Sequence, residues 1–241
     1  MEDFRTTLYK KYQSSFKKYI DKMDPTDSDS DVKYFRHKYL PLIEEFNLDA
    51  AILDLGCGTG IMMNYLSRAG YKNMEGVDIS EEQIDVAKNR GLNVSVDDAF
   101  HFLDNCINYD IIFILDFIEH FTKAEILILM DKIFNRLKKG GAVIIRTPNG
   151  NGFNANKIIY GDLTHITIFN SNSLTQLLKF YNFETVEFFE SGPIPKSVKG
   201  TVGFILWNVE KLFLNILRYV ETGTTEKCLT KEFVCKAVKR K

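Results

Sequence analysis

The sequence predicts an α/β fold in which a parallel sheet is covered by helices on both faces. Two patterns predict it. Short apolar runs (AILDL, MEGVD, LNVSV, YDIIFIL, AVIIRT) alternate with longer stretches of helical periodicity from Ala51 onward. Those runs include continuously apolar ones, as expected of strands buried on both faces. A third observation places a ligand. The glycine-rich turn GCGTG joins the first strand to the next helix, where open α/β sheets bind small molecules.

Taken in order, residues 3–22 read as a Lys- and Tyr-rich helix, followed by the polar break DPTDSDSD and a helix over about 32–46. Residues 1–48 are therefore expected to form an N-terminal helical cap, and 49–241 the main domain. AILDL is the first strand, GCGTG the turn, and IMMNYLSRAG a helix closed by Gly70. MEGVD is the second strand. SEEQIDVAKNRG is a helix with Ser80 as N-cap, Glu81 and Glu82 in its first turn and Gly91 beyond its end. LNVSV and YDIIFIL are strands three and four. KAEILILMDKIFNRLKKGG is a helix with a basic C-terminal end that feeds strand five, AVIIRT.

Beyond Pro148 a loop runs to Thr167, within an expected acceptor loop near 149–170. A helix follows near Ser171–Tyr181, then the strand ETVEFFE, a helical insertion near 197–225 and a last strand near 231–239. The closing strands are expected to add an antiparallel edge.

With 241 residues, 45% apolar, 19 Phe and 11 Tyr, the chain can fill one large core with an insertion. The 31 basic and 32 acidic residues leave a net charge of -1, so no nucleic-acid partner is expected. Cys57, Cys106, Cys228 and Cys235 form no CxxC pair and no zinc spacing. Reduced thiols and an N-terminus without an apolar signal region point to the cytoplasm.

Between a strand and a helix, the turn residues Gly56, Cys57, Gly58 and Gly60 let the backbone approach a ligand, above the positive end of the following helix. Asp78 closes the second strand, where a carboxylate can accept both ribose hydroxyls of an adenosine. Ile79 beside it is placed to cover an adenine face. After strand three, Asp97 and Asp98 either cap the next helix or, through Asp98 and the Ala99 N–H, read the adenine edge. A dinucleotide fingerprint needs GxGxxG, but this turn reads GxGxG with Ile61 where a small residue is required. Asp54 before the turn is awkward beside a pyrophosphate and useful beside a sulfonium and an ammonium.

ILDLGCGTG, GVDIS, DDAFHFL and YDIIFILDFIEHF together resemble the motif series of class I S-adenosylmethionine-dependent methyltransferases. The resemblance implies a Rossmann-like, mostly parallel seven-stranded sheet whose last strand is antiparallel. It implies S-adenosylmethionine as cofactor, with Asp54, Gly56 and Gly58 around the methionine moiety, Asp78 on the ribose, and Asp98 and Ala99 at the adenine. Asp116 then lines the methyl-transfer site.

A hydroxyl acceptor benefits from a base, and His165 in GDLTHITIF is the candidate, with Asp162 to orient its imidazole. The other reading of this loop is a stitch of internal hydrogen bonds. Glu119-His120 are read as support. Asp116, Glu119, Asp162 and His165 could instead gather a divalent cation, but no ligand spacing marks them and no metal is expected. RTPNG, YGDLTHITIFNSNSLTQLLKFYNFETVEFFESGP and LTKEFVCKAVKRK resemble methyltransferases of bacterial capsule and lipopolysaccharide synthesis. That implies a sugar acceptor, free or nucleotide-linked, or a polar decoration on one; a quinone-type small molecule is the alternative, and a non-catalytic cofactor-binding module a further one.

Two expectations remain. Tyr9 and Tyr12 share a face of the first helix and are placed to touch cofactor or acceptor as part of a lid. The apolar helix over 201–220 fits a homodimer interface, a lid over the site, or a peripheral contact with the inner face of the membrane.

Overall fold

The structure is a computed structural model, and it describes residues 4–9 and 29–240. Tyr12 and the rest of the expected 3–22 helix beyond Tyr9 lie outside the described residues.

In chain order the elements are α1 (Phe4–Tyr9), α2 (Asp29–Lys38), a 3-10 turn (Leu40–Leu42), β1 (Ile52–Leu55), α3 (Ile61–Arg68), β2 (Met74–Asp78), α4 (Glu81–Asn89) and β3 (Val94–Val96). There follow α5 (Ala99–Asn105), β4 (Tyr109–Leu115), a second 3-10 turn (Ile118–His120), α6 (Lys123–Arg136) and β5 (Leu137–Pro148). The chain ends with α7 (Asn156–Ile159), α8 (Ser171–Phe180), β6 (Phe183–Glu190), α9 (Val198–Thr222) and β7 (Glu232–Lys239).

One seven-stranded sheet has the order β3-β2-β1-β4-β5-β7-β6. Strands β1 to β5 pair in parallel, and β7 runs antiparallel to both β5 and β6. The sheet is Rossmann-like, mostly parallel, with its last strand antiparallel. The two closing strands form the antiparallel edge expected from the sequence, with β7 inserted between β5 and β6. The apolar VCKAV stretch explains the choice, because Phe233, Cys235 and Ala237 are buried, as an inner strand requires.

Alternate residues of the inner strands serve opposite faces. Leu53, Ile112, Ile114, Val143 and Ile145 pack with Leu129, Met130 and Ile133 of α6 and Leu174 and Leu178 of α8. Ile52, Ile111, Phe113 and Ile144 pack with Phe35, Tyr39, Leu42 and Ile43 on the other face. The segment from Phe35 to Ile43 contributes side chains to the core on this face of the sheet. Helix α6 ends earlier than its periodicity suggests. Gly140, at φ 76, and Gly141 cannot prolong it, and Leu137 is buried and pairs with Tyr109 to open β5.

Strand order reverses between β1 and β4, so the crevice for a ligand opens at the C-terminal ends of those strands. The glycine turn after β1 and the Asp116–His120 segment after β4 both lie there.

Candidate active site

On the β1 side, the turn is built from backbone. The Gly56 and Cys57 N–H groups both donate to the Val77 carbonyl, and the Gly60 N–H donates to the Cys57 carbonyl. Gly56 (φ 77) and Gly60 (φ 75) occupy left-handed backbone conformations. A Cβ on Gly56 would come 2.3 Å from the Phe117 ring, and one on Gly60 would come 2.2 Å from Leu92. Conformation favours glycine at both positions, and at Gly56 the Phe117 ring adds a demand for space. The Cys57 thiol is turned into the core with Met63 and Ile84, and burial raises its pKa.

Asp78 is held over the turn by two N–H donors, Gly58 to Oδ2 at 2.9 Å and Ser80 to Oδ1 at 2.8 Å. Ile79 beside it is 44% exposed, an apolar surface facing solvent next to a fixed carboxylate. Asp98 is the N-cap of α5, its Oδ1 accepting from the Phe100 and His101 N–H groups. The capping reading of Asp98 is thereby observed, and Asp97 pairs with His101 at 2.9 Å. Ala99 opens α5, so its N–H has no acceptor within the helix.

Asp54 is buried, and burial together with the nearby Asp78 charge pushes its carboxyl up to about 7. Buried Asp54 and half-buried Asp78 together would repel a diphosphate, and a cation would relieve them. The residues therefore fit S-adenosylmethionine, which carries a sulfonium and an ammonium, on their own chemistry.

On the β4 side, Asp116 takes a positive φ of 51 and forms a two-pronged ion pair with Arg146 at the end of β5. Arg146 Nη1 also donates to the Tyr39 hydroxyl at 3.0 Å. Asp116 is an exposed carboxylate at the crevice whose charge is already matched, so it is fixed in place rather than poised as a base. Sequence reasoning missed Arg146; its signal was a lone cation closing the otherwise apolar run AVIIR.

Glu119 and His120 follow in the second 3-10 turn, whose position is secured by the Thr122–Glu125 capping box of α6. The GDLTH loop is tied down onto them: the Ile166 and Thr167 N–H groups both donate to the Glu119 carbonyl, and Thr167 Oγ1 donates to the Phe121 carbonyl. His165 Nδ1 lies 3.1 Å from the Ile159 carbonyl, which can only accept, so Nδ1 carries the proton. The lone pair is then on Nε2, which is 4.0 Å from Glu119 Oε1.

Asp162 does not orient His165. Its Oδ1 accepts from the Thr164 N–H at 2.8 Å and the Thr164 hydroxyl at 2.5 Å, and Thr164 Oγ1 lies 2.9 Å from His120 Nδ1. The expected pairing is corrected: Asp162 is the turn-former of its own loop and acts through Thr164 on His120. The carbonyl that orients His165 comes from α7, an element absent from the sequence reading.

Glu119 is fully buried, and among the described residues neither of its carboxyl oxygens has a hydrogen-bond partner. Burial first, and the Asp116 charge second, push its pKa well up. His120 is lowered to about 4 by burial and then by the neighbouring His165. The two imidazole rings are 5.0 Å apart, and Tyr9 of α1 meets His120 edge-on at 5.8 Å. The Tyr9 hydroxyl bonds to Thr164, and burial raises its pKa. Helix α1 thus covers the histidines.

Glu119, His120 and His165 offer ligand atoms within 4.8 Å of one another, enough to consider a divalent cation. His120 would first have to release Asp116 O, 3.2 Å from its Nε2, or Thr164. Only Glu119 and His165 Nε2 are ready to ligate.

Residues 29–187 match the family described as a methyltransferase domain. Among curated proteins, the ubiquinone biosynthesis O-methyltransferases of Shewanella pealeana and Hydrogenovibrio crunogenus are each 29% identical to this chain, over 107 and 128 residues. These matches cover 42% and 48% of this chain and 44% and 52% of theirs. The Chelativorans sp. protein of that description is 34% identical over 104 residues, 41% of this chain and 40% of its own. The chain thus spans about half the length of the curated relatives it matches. A SAM-dependent methyltransferase from Archaeoglobus fulgidus aligns over 98% of this chain and 100% of its own, at 20% identity and a TM-score of 0.65. The plantazolicin methyltransferase BamL, solved with a triazolic desmethylPZN analog and SAH, aligns over 98% of this chain and 95% of its own, at 17% identity and a TM-score of 0.60. The chain belongs to the methyltransferase-domain family and shares its fold with SAM-dependent methyltransferases of known structure.

Proposed function

We propose that this chain methylates a hydroxyl oxygen of a small polar acceptor, with His165 as the base. The observation that carries the reading is the tautomer of His165: the Ile159 carbonyl fixes the proton on Nδ1, leaving Nε2 as a lone pair beside buried Glu119.

When bound, S-adenosylmethionine supplies an electrophilic methyl on a sulfonium. The chain's own residues do the rest. Asp54 and Asp78 favour the cationic ligand, and the glycine turn lets it approach the backbone. Asp116, clamped by Arg146, lines the crevice where the acceptor is positioned. His165 Nε2 takes the hydroxyl proton as the new bond forms, and the Glu119 carboxyl, 4.0 Å away, ionises more readily once the imidazolium is beside it. Much of the rate enhancement comes from holding acceptor and methyl in line.

For the acceptor class, a sugar hydroxyl of the kind used in surface polysaccharide building is supported by the resemblance of the GDLTH loop. A phenolic hydroxyl is the second reading, supported by the curated relatives described as ubiquinone biosynthesis O-methyltransferases. One support for the sugar weakens. Asn149 is buried and donates to the Cys228 and Thr230 carbonyls, so it is not displayed to a ligand.

The test is methyl transfer from labelled S-adenosylmethionine to a panel of nucleotide-linked sugars and of catechols. Turnover confined to catechols replaces the sugar reading by the phenolic one. Tight cofactor binding without turnover on either class leaves only a binding module.

A further inference from the structure

Helix α9 carries its polarity the wrong way round for a helix packed on its own domain. The stripe that meets the domain is polar: Trp207 Nε1 donates to Glu190 at 3.3 Å, and Lys211 pairs with Glu190 at 3.1 Å. Farther along, Asn215 exchanges hydrogen bonds with the Glu226 backbone, and Arg218 pairs with Glu226 at 3.8 Å. None of its residues is buried. The outward face is apolar, with Val202 51%, Ile205 56%, Val209 62%, Leu212 64% and Ile216 53% exposed.

We propose that α9 packs against α9 of a second copy of this chain, antiparallel, through this outward face. The spacing is that of a helix–helix seam. Val198, Val202, Ile205, Val209, Leu212, Ile216 and Tyr219 recur at alternating intervals of four and three. Leu206, Phe213 and Val220 widen the stripe on one side, as core-facing helices do. A helix of this length is about 37 Å long. Covering such a face removes on the order of 700 Å² per copy, the size of a standard specific interface.

Charge chooses the partner and the direction. A helix lying on a membrane surface keeps free lysines and arginines along its polar face. Here Lys211 and Arg218 are committed to Glu190 and Glu226, and the edge of the apolar arc carries one exposed lysine, Lys199, against Glu210 and Glu221. Trp207 is turned inward. Lys199 and Glu221 sit near opposite ends of the same edge, so an antiparallel pair centred near residue 210 sets each Lys199 toward Glu221 of the second copy, two opposite-charge contacts against one Glu210–Glu210 approach at the two-fold.

Sedimentation velocity on the full chain tests this directly. The expected result is a species of twice 27.8 kDa at micromolar concentration. Val209→Glu with Leu212→Glu should weaken association at least a hundredfold, with thermal melting and cofactor affinity unchanged. Lys199→Glu should weaken it about tenfold, and Lys199→Glu with Glu221→Lys should restore it. A wild-type chain that stays monomeric overturns the proposal. So does a monomer that floats with phosphatidylglycerol–phosphatidylcholine vesicles, which would assign the face to a membrane. A dimer that survives both sets of substitutions would place the interface elsewhere. None of these readouts depends on methyl transfer.

Discussion

Glu119 and His165 face each other across 4.0 Å in a pocket where the glutamate has no hydrogen-bond partner among the described residues and the imidazole offers an unprotonated Nε2. Such a pair sets a buried acid beside a candidate base. His165→Ala should therefore lower kcat by about two to four orders of magnitude with little change in cofactor affinity. Glu119→Gln keeps the volume and removes the charge that supports the imidazolium, and should cost about ten- to a hundredfold. Steady-state kinetics with calorimetric cofactor binding separate the two effects. Near-normal turnover in His165→Ala would remove it from the mechanism.

The donor half of the cleft could be read from residues close in sequence, because a strand, a turn and a helix N-terminus assemble it locally around Asp54–Gly60 and Asp78. The acceptor half could not. His165 takes its orientation from the Ile159 carbonyl of a four-residue helix with no clear periodicity, and its neighbour Glu119 lies 46 positions away in the chain. Asp162 illustrates the difficulty. Proximity in sequence suggested a pairing with His165, but an acidic residue two before a threonine satisfies its own turn first. The order of the last strands depended on burial of β7 on both sides, which a short segment with a lysine at its centre does not announce.

Asp54 makes cofactor binding pH-dependent. With its carboxyl near 7 in the free protein, a cation draws the ionised form, so binding below that pH releases a proton. Affinity for S-adenosylmethionine should rise up to about tenfold per pH unit below 7 and level off above it. In the free protein the sign is reversed. The unfolded acid ionises near 3.8 and the folded one near 7, so stability falls as pH rises between them, by up to about 4 kcal/mol. Calorimetry at pH 5.5, 6.5 and 7.5, in buffers of different ionisation enthalpy, reads both affinity and proton release. Asp54→Asn should flatten the profile; a wild-type affinity that does not change with pH would contradict the assignment.

His120 acts in the opposite direction. Its folded pKa is about 4 against 6.5 unfolded, so below pH 6.5 the unfolded chain takes up a proton that the folded chain refuses. Stability from this residue is complete above 6.5 and declines as pH falls toward 4, by up to about 3 kcal/mol. Because Asp54 changes stability the other way over part of this range, the measurement is a difference. Urea midpoints of wild type and His120→Gln should diverge most at pH 7 and converge toward pH 4.5. Parallel curves would mean that His120 is protonated in the folded protein.

Gly56 joins the two halves of the site, since its missing Cβ is the space into which the Phe117 ring fits, two residues before Glu119. Gly56→Ala carries two separable costs. The positive φ of 77 is worth about 1 kcal/mol to an alanine, and the contact at 2.3 Å must be relieved by moving an aromatic ring. Gly60→Ala meets the flexible end of Leu92 at 2.2 Å and the Ala87 Cβ at 3.3 Å, and should disturb the cofactor turn alone. Gly56→Ala is therefore expected to lower kcat more than Gly60→Ala does, because displacing Phe117 shifts the turn that carries Glu119 and His120. Replacing Phe117 by Leu in the Gly56→Ala background should recover most of the lost turnover while leaving the backbone cost of about 1 kcal/mol in the thermal midpoint. If the double variant is no better than the single one, Phe117 is not the route by which the turn reaches the acceptor side.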